Sequence, residues 1–397
     1  MTIDNEKNPV VEDAAEEQAA IDVLEQMTAK DEKVYYASQG QLIAWRFQRH
    51  KLAMFSLIVL IIMYVMAAVP GFFSPFGKDQ RLKGYSYTPV TQIHLFHEGK
   101  LIGPFTYDLT QVMDPATFKK EWAEDKEGDI NKISFFVKGT PYTIIGKWQS
   151  DIHLFGIKGG NMEDDIKPLF LFGTDQVARD VFSRTVYGAQ ISLTIGLIGV
   201  FMSFAFGITM GGLAGYVGGL FDAIVLVVID LLQTIPQLPL WMTLSAAVPR
   251  EIPVTQRYFM MTIVLAFLGW TGLARVVRGR LLAMREEDFA LAAKGAGASN
   301  WRIVMRHLIP GFSSHLIVSI TINIPAMILG EVSLGFLGLG MQKPAVSWGI
   351  LLQDAQNIVA IAHQPWLMIP ALVVIVTVLL FNFVGDGLRD AADPFVM

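Results

Sequence analysis

Long apolar runs with almost no charges are the feature that most limits what this chain can fold into. A helix needs roughly 20 apolar residues to cross hydrocarbon about 30 Å thick. Six windows meet this requirement, at residues 52–73, 191–216, 223–248, 258–274, 311–341 and 365–385. Pro236 and Pro239 in the third window predict a kink there. The sequence therefore predicts an all-α membrane protein with six transmembrane helices.

Composition supports this class and excludes others. Hydrophobic residues make up 52% of the chain and charged residues 17%, whereas soluble domains carry about 25% charged residues. The chain has no cysteine, which leaves no disulfide framework and no thiolate metal site. Its net charge of -5 argues against binding to nucleic acid, because neutralising phosphates requires a basic face.

The distribution of arginine and lysine predicts the orientation, since short cytoplasmic loops carry the excess. Arg46, Arg49 and Lys51 precede the first window. Between the fourth and fifth windows lie seven more basic residues: Arg275, Arg278, Arg280, Arg285, Lys294, Arg302 and Arg306. The opposing loops carry Arg250, Arg257 and Lys343. We therefore expect a multi-pass protein with both termini in the cytoplasm.

These observations divide the chain into consecutive parts. We expect a cytoplasmic tail at 1–50, the first transmembrane helix at 51–73, and an extracytoplasmic insertion with an elbow at 74–188. A transmembrane core follows at 189–388, and a cytoplasmic C-terminus at 389–397. In the tail, the spacing of Ile21, Leu24 and Met27 allows one apolar helical face, although a partly ordered tail is the favoured interpretation.

The insertion has the pattern of a small, mainly β structure. Runs rich in Ile and Phe at 92–96, 132–137 and 142–145 are bounded by Gly or Pro and predict strands, with a hairpin turn at 97–100. Asp114 and Pro115 predict the start of a helix over 114–125.

Three histidines, His94, His97 and His153, lie in the insertion. They favour fold or surface roles over metal binding, because neither a cysteine nor a His-x-x-x-His pair accompanies them. We predict no metal site.

The segment 285–310 carries the most informative local pattern. Asp288 could cap a short helix of small residues, and Gly297 could end it with a left-handed backbone. Ser299 could cap a second helix that stops before Pro310. One stripe could anchor this second helix against the spans: Ile303, Val304, His307 and Leu308. The two short helices would meet in a corner at Gly297. The pattern alone leaves open whether a groove of another protein binds this corner or whether segment 285–310 is a loop without a partner.

Family motifs bear on that choice. Ala292, Ala293, Gly297 and the His-Leu-Ile-Pro run at 307–310 resemble the EAA signature of ABC-importer permeases, the loop through which the membrane subunit engages its ATPase. Leu291 stands where the signature usually has glutamate.

Further motifs resemble the C-type permease subunit of oligopeptide and dipeptide importers. Residues 173–193 are similar to GTDxxGRDxxSRxxYGxRxSL, with Ala178 for Gly and Gln190 for Arg. Residues 331–340 are similar to ExxLSFLGLG, with Gly335 for Ser. Segments 347–349, 365–366 and 382–394 resemble the family's carboxy-terminal run, so the resemblance covers nearly everything from 172 to 394.

The resemblance implies a type I ABC-importer permease in a prokaryotic inner or plasma membrane, moving oligopeptides or dipeptides by alternating access. Its implied partners are a homologous B-type permease, two cytoplasmic ATPase subunits, an extracytoplasmic substrate-binding protein and the lipid bilayer. The loop 285–310 would couple to the ATPase through Phe289, Ala292, Ala293, Lys294, Gly297, Ala298, Arg302, His307 and Pro310.

The sequence contains no G-x-x-x-x-G-K-[ST] phosphate loop, so we expect a chain that is not an enzyme and has no cofactor, with ATP bound by the partner subunits. Import of nickel chelates, opines or glycosides by the same architecture remains an alternative. An ion-coupled transporter or a membrane sensor is a more distant one.

Two acidic residues, Asp230 and Glu331, lie within the apolar windows. A charge in hydrocarbon costs at least about 2.5 to 3.5 kcal/mol, so each needs a partner or a water-filled face. They could line the translocation path or a gate, or they could form interhelical hydrogen bonds.

A charged group outside the windows is a third candidate. The mixed charges of Asp175, Arg179, Asp180 and Arg184 predict a salt-bridged elbow at the outer surface. No catalytic residue is predicted.

Overall fold

The computed structural model describes residues 38–113, 120–144, 146–162, 165–249 and 251–392. Its α-helices are α1 (Gln39–Arg49), α2 (Lys51–Ala68), α3 (Pro70–Phe73), α4 (Val181–Val217), α5 (Gly219–Thr234), α6 (Gln237–Ala246), α7 (Val254–Met284), α8 (Asp288–Gly295), α9 (Asn300–Ile303), α10 (Ser313–Phe336), α11 (Trp348–Gln353), α12 (Ile358–His363) and α13 (Ile369–Ala392). Its strands are β1 (His94–His97), β2 (Lys100–Met113), β3 (Lys120–Ile144), β4 (Trp148–Ile157), β5 (Asn161–Met162) and β6 (Asp165–Ile166).

Five helical stretches of the described chain are long and apolar enough to cross a membrane: Lys51–Ala68, Val181–Val217, Val254–Met284, Asn300–Phe336 and Pro365–Ala392. The third predicted window is different. It forms α5 and α6, which meet at a bend of 90°. Pro236 occupies the N-cap of α6, where its missing N–H ends the preceding helix. The predicted kink is thus confirmed, and a count of six holds if the bent pair crosses as one span.

α4 and α7 approach each other along a stripe of glycines. Gly207, Gly211 and Gly215 are spaced four residues apart and so lie on one face of α4. A Cβ added at Gly211 would lie 2.3 Å from the carbonyl oxygen of Ala274, and one at Gly207 or Gly215 would lie 2.9 or 2.6 Å from α7 backbone oxygens. Small residues at this spacing let membrane helices pack backbone to backbone.

The main hydrophobic core lies inside the bundle, where α4, α7, α10, α11 and α13 meet. Trp348 at the start of α11 is fully buried, and its indole N–H donates to the carbonyl oxygen of Thr185 on α4 at 3.0 Å. By contrast, α2 exposes a stripe of large apolar side chains, including Phe55, Ile58 and Ile62. That stripe is what a helix facing lipid requires.

The insertion after α3 contains a four-stranded antiparallel sheet in the order β1-β2-β3-β4 and a two-stranded antiparallel sheet of β5 and β6. The strand predicted at 92–96 is confirmed from residue 94 onward, where β1 begins. The runs predicted at 132–137 and 142–145 lie in one strand, β3, as far as residue 144; residue 145 lies outside the described part. The predicted hairpin turn is confirmed, because Glu98 and Gly99 both have positive φ, as a two-residue hairpin loop requires.

The helix predicted over 114–125 is wrong where the structure can test it. Residues 120–125 belong to β3, and residues 114–119 lie outside the described part. Asp108–Met113 of β2 pairs with this stretch, in a register that sets Met113 opposite Lys120 and Asp108 opposite Asp125. Trp122 also stacks on Tyr85, with ring centroids 5.8 Å apart. Pairing across the sheet therefore overrides the local helix-start signal.

The insertion is fixed to the end of the first span by two contacts. His153 is buried, with Nδ1 2.5 Å from the carbonyl oxygen of Ser74 and Nε2 3.0 Å from that of Thr140. The ring of Tyr142 lies directly over Gly71, where an added Cβ would come within 2.2 Å of it. His153 thus has the fold role that the sequence favoured.

A helix lies within the segment 1–50 that was predicted to be a tail. α1 begins after Ser38, whose hydroxyl accepts from the backbone N–H of Gln41 at 3.4 Å, while the Gln41 side chain accepts from the Ser38 N–H at 2.9 Å. This reciprocal pair is a capping box. The apolar face at Ile21, Leu24 and Met27 lies outside the described residues.

Candidate functional site

The corner at Gly297 is a helix end of defined geometry. Gly297 has φ +79°, its N–H donates to the carbonyl oxygen of Lys294 at 3.0 Å, and the N–H of Ala298 donates to that of Ala293 at 3.1 Å. These two bonds form a Schellman motif, which ends a helix through a left-handed residue. The predicted left-handed helix end at Gly297 is confirmed. Because nothing lies within 4 Å of a Cβ placed there, the backbone conformation and not space is what requires glycine.

The helices on either side of the corner partly follow the prediction. Ser299 caps α9, and its Oγ accepts from the backbone N–H of Arg302 at 3.4 Å. Glu287, not Asp288, is the N-cap of α8, and no side chain bonds the cap. The second helix does not stop before Pro310. It continues through a π-helical turn at Val304–Leu308 and a 3-10 turn at Ile309–Phe312 into α10.

One face of this segment is anchored in the bundle. Ile303, Val304 and Leu308 are almost fully buried. Val304 packs on α4, since a Cβ at Gly212 would lie 3.0 Å from Val304 Cγ1. His307, predicted to share this stripe, is exposed instead. The π-helical turn explains the difference, because its i→i+5 bonding, seen from the Ile309 N–H to the Val304 carbonyl oxygen, shifts the helical phase.

The other face is exposed and partly apolar. Of the predicted coupling residues, Ala293 and Ala298 are half-buried against the core, while the others are exposed: Phe289, Ala292, Lys294, Gly297, Arg302, His307 and Pro310. Leu291 and Trp301 add to the exposed apolar surface, with 48% and 50% of their area exposed, beside 43% for Phe289. The sequence prediction did not assign these two to the site, although large apolar residues in a charged segment were the available signal.

Asp230 lies on α5, exposed, and is paired with Arg275 of α7. Arg275 also donates to Gln233 Oε1 at 3.0 Å. A second ion pair, Asp222 with Arg278, joins the same two helices, with 2.6 Å between Asp222 Oδ2 and Arg278 Nη2. The structure therefore supplies the charge partner that Asp230 requires, and it leaves that pair facing outward from the chain.

Glu331 is buried at the meeting point of three helices. Its Oε2 accepts from Ser192 Oγ of α4 at 2.6 Å, and Ser192 Oγ accepts from the backbone N–H of Trp348 at 3.1 Å. This arrangement joins α10, α4 and α11. It corresponds to the interhelical hydrogen bond that the sequence left open beside a role in the path.

The charged residues of the elbow form a buried network. Asp175 Oδ2 accepts from Arg179 Nε at 2.8 Å and from Arg184 Nη1 at 2.7 Å, while its Oδ1 accepts from the backbone N–H of Arg179 at 2.9 Å. The predicted salt bridges are confirmed. Asp175 and Arg184 are buried within the protein, at 2% and 1% exposed, which the sequence did not predict.

Asp180 has a separate role as the N-cap of α4, where its Oδ2 accepts from the backbone N–H of Ser183 at 2.7 Å. Burial raises the pKa of Asp180 from 3.8 to about 7. The folded chain therefore holds this proton to a higher pH than the unfolded chain does. The stability that it contributes is full below about pH 4 and is lost as the pH rises through about 7.

We expect Asp180→Asn to be more stable than the wild type at pH 8, by on the order of 2 kcal/mol, and closer to it at pH 5. The amide keeps an oxygen for the Ser183 N–H but carries no charge to bury. Thermal midpoints of the purified chain across this pH range measure the gap. A gap that does not change with pH would contradict the prediction.

Residues 207–397 match the family described as binding-protein-dependent transport system inner membrane component. Residues 38–89 match the N-terminal TM domain of oligopeptide transport permease C.

Several relatives are similar over the permease part. The dipeptide transport system permease protein DppC of Bacillus subtilis is 39% identical over 223 residues, which cover 56% of this chain and 68% of the relative. The oligopeptide transport system permease proteins OppC of Bacillus subtilis and Haemophilus influenzae are 35% and 38% identical over 56% of this chain, covering 71% and 70% of the relatives. A solved chain of the MetNI methionine ABC transporter, inward facing, is 20% identical with a TM-score of 0.42, covering 53% of this chain and 97% of that chain.

The structure is a bundle of apolar helices with a corner that is buried on one face and exposed on the other, and residues 207–397 match a transport-permease family. Together these features define an inner-membrane transport permease. The chain belongs to the binding-protein-dependent transport permease family, among the C-type permeases of oligopeptide and dipeptide ABC transporters.

Proposed function

We propose that this chain is the C-type permease subunit of an ATP-driven importer, and that its substrates are dipeptides or oligopeptides. The substrate class follows from relatives whose names specify dipeptide and oligopeptide transport. The coupling role rests on the corner at Gly297. One face of this segment is buried against the bundle, and the opposite face exposes apolar side chains.

The partners follow from this role. A homologous B-type permease completes the translocation path, two cytoplasmic ATPase subunits bind and hydrolyse ATP, and an extracytoplasmic binding protein delivers substrate. In this arrangement both termini and segment 285–310 lie in the cytoplasm, and the sheet insertion lies on the opposite side. The chain itself contributes no phosphate-binding loop, so energy reaches it through protein contact.

The corner is built to transmit displacement. Phe289, Leu291 and Trp301 present apolar surface to the ATPase groove, while Val304 presses on Gly212 of α4. The helical path from Asn300 to Phe336 is continuous, so a push at the corner moves the whole span. Closure of the ATPase pair would thereby rock the spans and alternate access to the path.

Asp230 and Arg275 mark the face of the bundle that lines the path in this proposal. Both are well exposed, with 62% and 47% of their side-chain area accessible. Arg275 directly follows the apolar window 258–274, so the pair lies near the cytoplasmic end of the spans, where exposed charged atoms must face water or another protein, not lipid. We therefore place this pair toward the partner permease and the water-filled path between the two subunits.

We expect Arg275→Gln to lower uptake by roughly tenfold, because it leaves Asp230, which lies within an apolar window, without its charge partner. The exchanged pair, Asp230→Arg with Arg275→Asp, should recover most of the loss if pairing is what matters. Uptake of labelled peptide by cells carrying each variant measures the effect. Full uptake by the single variant would contradict a role at the path.

The function is tested by uptake in a strain that lacks this gene. We expect loss of ATP-dependent uptake of labelled dipeptides or oligopeptides, restored by the intact gene. Restored uptake of a nickel chelate, an opine or a glycoside, with peptide uptake unaffected, would replace the substrate class but keep the permease role. Uptake that persists without the ATPase subunits would overturn the proposal.

A further inference from the structure

The insertion carries a pair of exposed aromatic residues that the transport mechanism does not use. Phe135 and Phe136 are adjacent in β3 and are 70% and 67% exposed. Exposing two large apolar rings in water is unfavourable, by roughly 25 cal/mol for each Å² of apolar area. Their surroundings therefore indicate what covers them.

The backbone at Phe136 is unusual. Its φ is +54°, a left-handed conformation that bulky side chains rarely adopt. Neighbouring residues of a regular strand face opposite sides of the sheet. Here the ring of Phe136 lies 6.3 Å from that of Phe72 at the end of the first span.

The position of Phe72 sets the depth of the pair. Helix α2 rises about 26 Å from Lys51 to Ala68, most of the thickness of the hydrocarbon core, and Phe72 follows in α3 after a break at Val69. Phe72 therefore reaches the membrane boundary on the insertion's side, where aromatic residues are enriched. Phe72 itself is half-buried.

The face of the sheet that bears Phe135 is turned toward the spans. Phe135 pairs across the sheet with Phe155, and Val137 pairs with His153. The ring of Phe155 lies 5.9 Å from Phe182 at the start of α4, and His153 bonds the Ser74 carbonyl oxygen. Phe135 shares their face but lies largely outside the protein's own contacts.

We propose that Phe135 and Phe136 insert into the lipid leaflet on the insertion's side, so that the sheet rests on the membrane as an interfacial anchor. The occupant is lipid, because the pair is exposed and lies beside Phe72, just beyond the end of the lipid-facing helix α2, where the hydrocarbon boundary falls. The two contacts at Gly71 and Ser74 hold the sheet at that height.

The absence of cysteine from the sequence makes a direct test simple. Phe135→Cys and Phe136→Cys each give one attachment site for a nitroxide label. Ile62→Cys on the exposed face of α2 is the lipid control, and Glu127→Cys in the exposed charged bulge of β3 is the water control. The labelled chain is co-expressed with its permease and ATPase partners and placed in bilayers of phosphatidylcholine and phosphatidylglycerol.

The measurement is collision of the label with oxygen, which concentrates in lipid, and with a nickel chelate, which stays in water. We expect the oxygen-to-nickel ratio at 135 and 136 to approach the Ile62 value and to exceed the Glu127 value roughly fivefold. Ratios like that of Glu127 would overturn the proposal. So would low collision with both reagents, which would mean that a partner protein covers the pair.

Discussion

Gly297→Val should abolish ATP-dependent uptake while leaving the subunit in the membrane. The left-handed backbone at Gly297 costs an ordinary residue about 1 to 2 kcal/mol, and a β-branched one more. Valine would therefore open the Schellman end and turn α9 away from α8. We expect uptake to fall more than about tenfold, measured with labelled peptide beside the amount of chain in the membrane.

Gly297→Asn is the matched control for this prediction. Asparagine is close to valine in size but tolerates the left-handed conformation. It should retain most of the uptake, because nothing lies within 4 Å of the new Cβ. Equal loss in both variants would show that bulk at the surface, and not the corner's backbone, is what transport requires.

Gly211→Leu should prevent the bundle from folding. Its Cβ would lie 2.3 Å from the Ala274 carbonyl oxygen, and neither helix backbone can yield locally. The helices would have to separate, at a cost of several kcal/mol, beyond the usual 1 to 3 kcal/mol of overpacking. We expect little folded chain, measured as the monodisperse fraction and thermal midpoint in detergent.

Gly272→Leu is the matched control, because it adds the same apolar side chain to the bundle at a position without close neighbours. Gly272 lies on α7, is exposed, and has nothing within 4 Å of an added Cβ. Gly272→Leu should leave the amount and the thermal midpoint of folded chain near wild type. A normal Gly211→Leu protein would mean that α4 and α7 do not meet as described.

The spans and the corner could be predicted because their signals are local. Apolar length determines a membrane helix, and Gly297 followed by Ser299 places a helix end and a helix start within three residues. The strand at 120–125 could not be predicted in this way. Its pairing with β2 depends on contacts across the sheet, and the Asp114-Pro115 signal carries no information about them.

Two other differences have physical causes of their own. The outward position of His307 depends on a π-helical turn, while a regular helical period places it with Val304 and Leu308. The buried position of Asp175 involves chain segments far away in sequence: its backbone carbonyl oxygen accepts from the Tyr87 N–H at 3.2 Å, and that of its neighbour Thr174 accepts from the Trp366 indole N–H at 3.1 Å. The glycine stripe on α4 is a local signal as well, since its four-residue spacing predicts a close helix pair.

Photo-crosslinking from Trp301 tests the central claim most directly. Replacing Trp301 with p-benzoylphenylalanine puts a reactive ketone on the exposed face of the corner with little change of size. In membranes containing the whole transporter, we predict a product of this chain joined to an ATPase subunit, and none from the same group at Glu127 on the insertion. Crosslinks from Trp301 to lipid alone, or to a protein on the insertion's side, would contradict the account.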